Sequence, residues 1–393
     1  MIYSITAKKD TTLYEWTSSI NTGIDEVLEI QKSISQSNTS NVYNSRILMK
    51  FDLSGIQDEI NAGNITSPTQ SKSPKFFMNL YTVGARGLAY KYGLEAFPVS
   101  QSWDMGKGRR IDKGAIGGVI SHETEGASWN YRDGEQYFGT YWATQSAASS
   151  QFESGTTGSF SVTPGGSTWH IGYGIASQSY DYEETDIRMD VTEIVNHWLT
   201  GSMPNEGFVI MRSGSTQPGI IDEERNGRSY GQLQFFSTDT HTIYQPRLEV
   251  AWEDRAVSLG TIPPKIDPTA ENIVDIKTKT YKRSDRARIN IIARPKFPAQ
   301  TYATTSEALT NQRLPSLSYW SVKDMITEET IIPFDSQSTW ISVDTAGSHF
   351  KLWMDQFYEE RRYKFIFKCI TGEYSNPSST KIYDNDYTFK VIR

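Results

Sequence analysis

Five histidines, His122, His170, His197, His241 and His349, are the first residues to test for chemistry. Zinc sites need imidazole or thiolate ligands at short, regular spacings. No His–His or His–Cys pair stands at i, i+2 or i, i+4 in this chain. His197 lies beside Trp198, and a histidine works as a base only when a second group positions it. A histidine at a surface or sheet edge is the simpler reading. Serine is abundant, yet the Gly-x-Ser-x-Gly turn that presents a nucleophile does not occur. Gly106-x-Gly108 lacks the third glycine of a dinucleotide turn, and no Gly-Lys-Ser/Thr phosphate loop is present.

Carboxylates need more care, because a glycosidase requires only two of them facing one bond. Asp181, Glu183, Glu184, Glu223 and Glu224 cluster in acidic stretches. Nothing in their spacing ties a pair to one cleft, so solvated loops are the expectation. A structural Ca²⁺ needs only oxygen atoms from loops. EF-hand spacing is missing and no ligands are assigned. The sequence thus supplies no catalytic residue, no cofactor motif and no metal-binding set.

Ten tryptophans offer a different chemistry. Exposed Trp and Tyr rings stack on sugar faces or anchor a protein partner. Tyr141, Trp142, Trp169 and Tyr173 flank a Ser/Thr/Gly-rich stretch at 143–167, expected to be an exposed excursion, and are the candidate glycan or partner contacts. The competing reading is that such rings fill a core, since aromatics dominate burial. Trp198 and Trp252 belong to the core by their periodicity.

Bulk properties narrow the function classes. Over 393 residues the formal net charge is −7, which disfavours general binding to nucleic acid or anionic lipid. Basic residues concentrate between Lys277 and Arg294, either as a solvated strand face or as a seam against an acidic neighbour. Cys369 is the one cysteine and lies in an apolar run, so a buried thiol and a reducing compartment are expected. The opening Met1-Ile2-Tyr3-Ser4-Ile5-Thr6 reads as a strand and not as a signal peptide. No apolar run is long enough to span a bilayer.

The elements that must carry these residues are strands. Strand-like runs fall at 27–31, 46–52, 76–83, 94–99, 207–212, 232–236 and 247–252, separated by turn residues. One helix is expected at 190–201, with Val191, Ile194, Val195, Trp198 and Leu199 on a single face. Asp190 would be its N-cap, Glu193 the partner in a capping box and Gly201 its stop. Residues 57–74 read as a polar insertion. Pro263-Pro264 and Asp267-Pro268 mark a stiff linker at 256–270. Beyond it, runs at 288–293, 317–322, 339–343, 363–370 and 386–392 predict a second, smaller β-sandwich, with a short helix at 351–362.

Residues 1–255 also carry landmarks in a set order. They open with Asp10-Thr11-Thr12-Leu13-Tyr14, Asn21-Thr22-Gly23 and Arg46-Ile47-Leu48-Met49-Lys50-Phe51-Asp52. They continue through Ser102-Trp103-Asp104, Asp190-Val191-Thr192-Glu193-Ile194 and Pro204-Asn205-Glu206-Gly207 to Pro246-Arg247-Leu248-Glu249-Val250. In this order they resemble the DNRLRE family of jelly-roll domains. The chain departs from that pattern in its polar insertions and in an extra stretch near 106–126. As a whole it resembles virion structural proteins of contractile-tailed, T4-like phages, in which such modules are joined to immunoglobulin-like domains.

The expected fold is all-β. A jelly-roll-type sandwich with one short helix (1–255) is followed by a linker (256–270) and a smaller immunoglobulin-like sandwich (271–393). The resemblance implies a non-enzymatic virion subunit, assembled in the host cytoplasm. It would bind other virion proteins in a symmetric arrangement within the tail, neck or baseplate, or decorate the capsid. The alternative is a carbohydrate-binding module on a phage fibre or bacterial surface.

Overall fold

The computed structural model describes residues 1–34, 42–70, 72–110, 125–134, 139–142, 152–154, 165–170, 172–181, 186–213, 223–224, 227–258, 260–267, 270–276, 279–297, 311–370 and 380–393. The fold is all-β, with two short α-helices among the described residues. The chain forms two compact units. One comprises Ile5–Ala62 and Lys75–Glu249, and the other Met1–Ser4, Gly63–Pro74 and Val250–Arg393. They are called the first and second units below.

The chain begins with β1 (Ile2–Thr6), β2 (Lys9–Tyr14), β3 (Val27–Ile34) and β4 (Val42–Lys50), then α1 (Ser54–Asn61). Next come β5 (Lys75–Leu80), β6 (Thr82–Arg86), β7 (Lys91–Pro98), β8 (Tyr131–Asp133), β9 (Thr140–Tyr141), β10 (Phe152–Ser154) and β11 (Thr168–His170). β12 (Ala176–Asp181), β13 (Ile187–Asp190), α2 (Thr192–Leu199), β14 (Phe208–Arg212), β15 (Gly231–Phe236) and β16 (Arg247–Ala251) follow. The large sheet runs β12-β7-β14-β4-β3-β15-β6, with β2 added beside β4. A smaller sheet runs β1-β16-β5-β13.

Burial along the strands explains the layering. β15 alternates buried and half-buried residues, as a strand covered on one face does. β7 and β14 are buried almost throughout, which requires cover on both faces. One face of that region carries Leu13, Leu48, Phe97, Val209 and Met211, and over them pack Trp103, Trp129, Trp142 and Trp169. Tryptophans from the segments after β7 therefore form an extra layer on the large sheet.

Helix α2 differs from expectation at its start. Asp190 is the last residue of β13, and Val191 precedes the helix. The Asp190 carboxylate still accepts the Thr192 N–H at 3.0 Å. No side-chain capping bond, and hence no capping box with Glu193, forms at the N-cap, because the strand ladder extends to Asp190 and delays helical geometry. Ile194, Val195 and Trp198 form the buried face, and the Trp198 ring meets Phe208 edge-on at 4.7 Å. Part of the expected polar insertion at 57–74 is helical instead, since α1 buries Ile56.

In the second unit, β17 (Asn272–Ile276), β18 (Thr280–Lys282), β19 (Arg286–Pro295), β20 (Leu317–Asp324) and β21 (Thr330–Ile332) precede β22 (Ser342–Asp344), β23 (Gly347–Trp353), β24 (Arg362–Ile370) and β25 (Thr380–Ile392). One sheet runs β17-β19-β23-β22 and the other β18-β25-β24-β20-β21. β18 pairs with β25 in parallel, while every other registered pair in this unit is antiparallel. This is the strand order of an immunoglobulin-like sandwich. Trp320 takes the buried strand-C position and stacks on Phe350 at 4.7 Å. Tyr363, at the start of β24, accepts the Tyr358 N–H at 3.0 Å, which makes a tyrosine corner.

The proline-rich segment before β17 is not a free spacer. Ser258 donates to Val343, Ile266 to Arg313 and Arg313 back to Pro264, and Ile266 is fully buried in the unit's core. The helix expected at 351–362 is replaced by the end of β23 and a single 3-10 turn at Met354–Gln356. Basic residues of β19 alternate outward, with Arg286 and Arg288 exposed and Arg294 half-buried on the same side of the strand.

Candidate functional site

The first unit holds a concave site of about 280 Å³ lined by Tyr14, Asp25, Glu26, Glu29, Arg109 and Arg110, with Ile24 and Val27 beside them. β2 supplies Tyr14 at its last position, and β3 supplies Glu29 on the neighbouring ladder. Both side chains are almost fully buried. The Tyr14 hydroxyl donates to Glu29 Oε2 at 2.8 Å, and Gln234 of β15 donates to Glu29 Oε1 at 2.8 Å. Arg110 completes the set. Its guanidinium pairs with Glu29 and lies over the Tyr14 ring, 4.9 Å from the centroid.

A fold of irregular chain brings Arg110 there. Asn21, fully buried, donates to the carbonyls of Met105 at 2.8 Å and Ala127 at 2.7 Å. Its own oxygen accepts the N–H groups of Gly23 at 3.1 Å and Gly108 at 2.8 Å. Gly106 has φ +77°, and a Cβ there would strike Asn21, so glycine is required for the approach. The Arg110 N–H then points at the Asp25 carboxylate, 3.2 Å from each oxygen. Burial pushes the Asp25 carboxyl up to about 6, against the pull of that N–H. On the rim, Glu26 lies 3.6 Å from His241.

A second ionic cluster lies inside the same unit. Glu224 receives two bonds from Arg46, one of them from Nε at 3.0 Å. The Arg46 guanidinium sits between the rings of Trp129 and Trp169, at 5.0 and 5.4 Å from their centroids. Arg46 also donates to the Gly166 carbonyl at 2.8 Å, and a Cβ on Gly166 would fill the space of Arg46 and Trp129. Lys32 reaches the Glu224 carbonyl. Next to them Arg212 is wholly buried over Tyr92 and donates to the carbonyls of Tyr230 and Gly231 at 3.1 Å each. Burial drives the Glu223 carboxyl up to about 7, with Arg212 pulling the other way.

Glu223 and Glu224 therefore correct the expectation of solvated acidic loops: two buried cations require buried counter-charges. Asp181 is exposed beside Lys91, and Glu183 and Glu184 lie outside the described residues. The four aromatic candidates separate. Trp142 and Trp169 are 1% and 2% exposed and belong to the tryptophan layer, so neither ring face is open to a sugar. Tyr141 is 54% exposed and hydrogen-bonds Tyr131 at 3.0 Å. Tyr173 packs edge-on between His170 and His197. Most of the stretch at 143–167, and His122, lie outside the described residues.

No protein-family model matches this sequence, and no curated protein does. The site must be read from its own atoms. Among the described residues no group of three or more His, Cys, Asp and Glu side chains comes together to hold a metal ion. No helix of the described chain is long and apolar enough to cross a membrane. Cys369 is fully buried against Ser318, and burial pushes its thiol up to about 11, far from a reactive thiolate. Sequence reasoning passed over Tyr14, Asp25, Glu29 and Arg110. The signal within reach was Asn21-Thr22-Gly23 together with Gly106-x-Gly108, two polar turns that meet in space.

Proposed function

We propose that this chain is a non-enzymatic structural subunit of a tailed-phage particle, acting through protein–protein interfaces. One observation carries the non-enzymatic part of the reading. In the concave site the two carboxylates set into the wall already have internal partners: Glu29 has Arg110, Tyr14 and Gln234, and Asp25 has the Arg110 N–H. Groups spent on one another hold backbone in place; a general acid or base needs a free face toward substrate. The ordered landmarks of residues 1–255, resembling DNRLRE jelly rolls, and the immunoglobulin-like second unit support the same reading. Assembly proteins commonly join such modules and work by burying surface.

The carbohydrate-binding alternative has less to stand on. Of its four candidate rings, two are buried, and a sugar platform needs open ring faces.

Quantitative mass spectrometry of purified particles, with the major capsid protein as internal standard, tests the proposal. A fixed copy ratio that survives a high-salt wash is the expected result. Absence from particles would end the virion reading and turn attention to glycan arrays.

A further inference from the structure

The pocket beside Tyr14 contains its own ligand chemistry. Glu29 is 6% exposed and Tyr14 1%, and both are fixed on strands of the large sheet that pair with β4. A carboxylate buried to that degree requires a cation, because its neutral donors Tyr14 and Gln234 leave the charge uncompensated. The cation is Arg110, which comes from chain outside any strand and whose side chain is 46% exposed. The acceptor is thus rigid and dry while its occupant is half in solvent. Solvent therefore reaches the Arg110 side of the pair while the Glu29 side stays dry.

The geometry also selects one cation type. A guanidinium is planar, so it can lie on the Tyr14 ring and still direct N–H groups in its plane at Glu29. An ammonium is a compact, strongly hydrated charge without a flat face. We propose that the Tyr14–Asp25–Glu29 cleft is a guanidinium-binding site, filled in cis by Arg110 and open to an arginine-type side chain when Arg110 is withdrawn. The site goes beyond the assembly reading and does not depend on it.

Full-length Arg110→Ala protein, titrated by calorimetry with ethylguanidinium and separately with ethylammonium, tests this. Ethylguanidinium should bind with one-to-one stoichiometry at roughly millimolar affinity, and at least about ten-fold more tightly than ethylammonium. It should also raise the melting temperature, and the Arg110→Ala/Glu29→Gln protein should lose the response. Failure to saturate, equal binding of both cations, or binding that survives Glu29→Gln would each overturn the proposal. Should Arg110→Ala not fold, exchange of the Arg110 guanidinium N–H that faces Glu29 supplies the readout in the unaltered chain. Ethylguanidinium at tens of millimolar should speed it about two-fold or more over ethylammonium, as displacement by a planar cation predicts. Equal exchange rates in the two salts would refute displacement.

Discussion

In the first unit, Arg46, Arg212 and Lys32 rank with Trp142 and Trp169 among the largest fully buried side chains. In the second unit the corresponding space is filled by Trp320, Phe350, Phe365, Phe367 and Phe389 in stacked and edge-on contacts. Among the described residues, a charge fully buried there is Asp324, at the end of β20, where Arg361 meets it. Sheet order accounts for the contrast. The immunoglobulin-like sandwich has one core between two sheets, and apolar side chains fill it. The large sheet of the first unit is covered on its second face as well, by irregular chain, and cations on its strands donate to carbonyls of that chain, Arg46 to Gly166 and Lys32 to Glu224. A buried ion network gives geometric specificity more than net stability.

The sharpest way to break this comparison is to remove one charge. Arg46→Met leaves Glu224 buried without its cation and should destabilise the first unit by roughly 3–5 kcal/mol, read from urea unfolding. The double change Arg46→Met/Glu224→Leu should recover most of the loss. A mild single mutant would mean that solvent reaches the pair and that the charge is not truly inside. Trp320→Ala is the counterpart in the second unit. Losing that ring should cost about 3–5 kcal/mol through the cavity it leaves, and no second substitution of a charged residue should rescue it.

Except at exposed Asp52 of the first unit, whose carboxyl Lys8 and Ser54 hold at about 2, acidity separates the units further, with opposite signs. Burial is the main reason that Asp10 and Glu223 stay protonated up to about 7 and Asp25 to about 6, against about 4 in an unfolded chain. Their folded values are raised, so their contribution is complete below about pH 4 and is lost as pH rises toward 7. In the second unit burial alone would raise the carboxyls of Asp324 and Asp344, but Arg361 and Arg288 with nearby N–H donors hold them below the usual range. That contribution is present above about pH 4 and fades as pH falls below it. Hydrogen exchange by peptide should therefore show the first unit gaining protection from pH 7 to 5, and the second losing it first below about pH 4. Parallel behaviour of the two would sink the contrast.

Smaller tests sharpen it. Tyr363→Phe removes only the tyrosine-corner hydroxyl and should lower second-unit stability by about 1 kcal/mol. Arg288→Ala breaks an ion pair with Asp344 on the solvated face of β19. It should cost less than about 1 kcal/mol, and less again in high salt.

Much of the architecture was legible in local pattern. β15 and β19 follow the two-residue period, α2 shows its single apolar face, and Gly201 adopts φ +75° just past the helix, where a stop was expected. The ends of α2 were less legible, because Asp190 serves strand and helix at once. The candidate site was mostly illegible. Glu29 and Arg110 stand 81 residues apart, and Arg46 and Glu224 stand 178 apart. Nothing in either neighbourhood announces the partner.

Composition and periodicity alone determined an all-β protein with one amphipathic helix near residue 195 and a separate β-rich C-terminal part. They did so because alternation records which side of a strand meets water, and that is a local property. The tertiary structure decided which charges go inside, which tryptophans lose their open faces, and that the proline-rich segment is part of the second unit, with Ile266 in its core. Those outcomes depend on whether a counter-charge, a ring or a carbonyl from distant sequence arrives within hydrogen-bonding reach, and burial energy is set by that meeting rather than by neighbours in the chain.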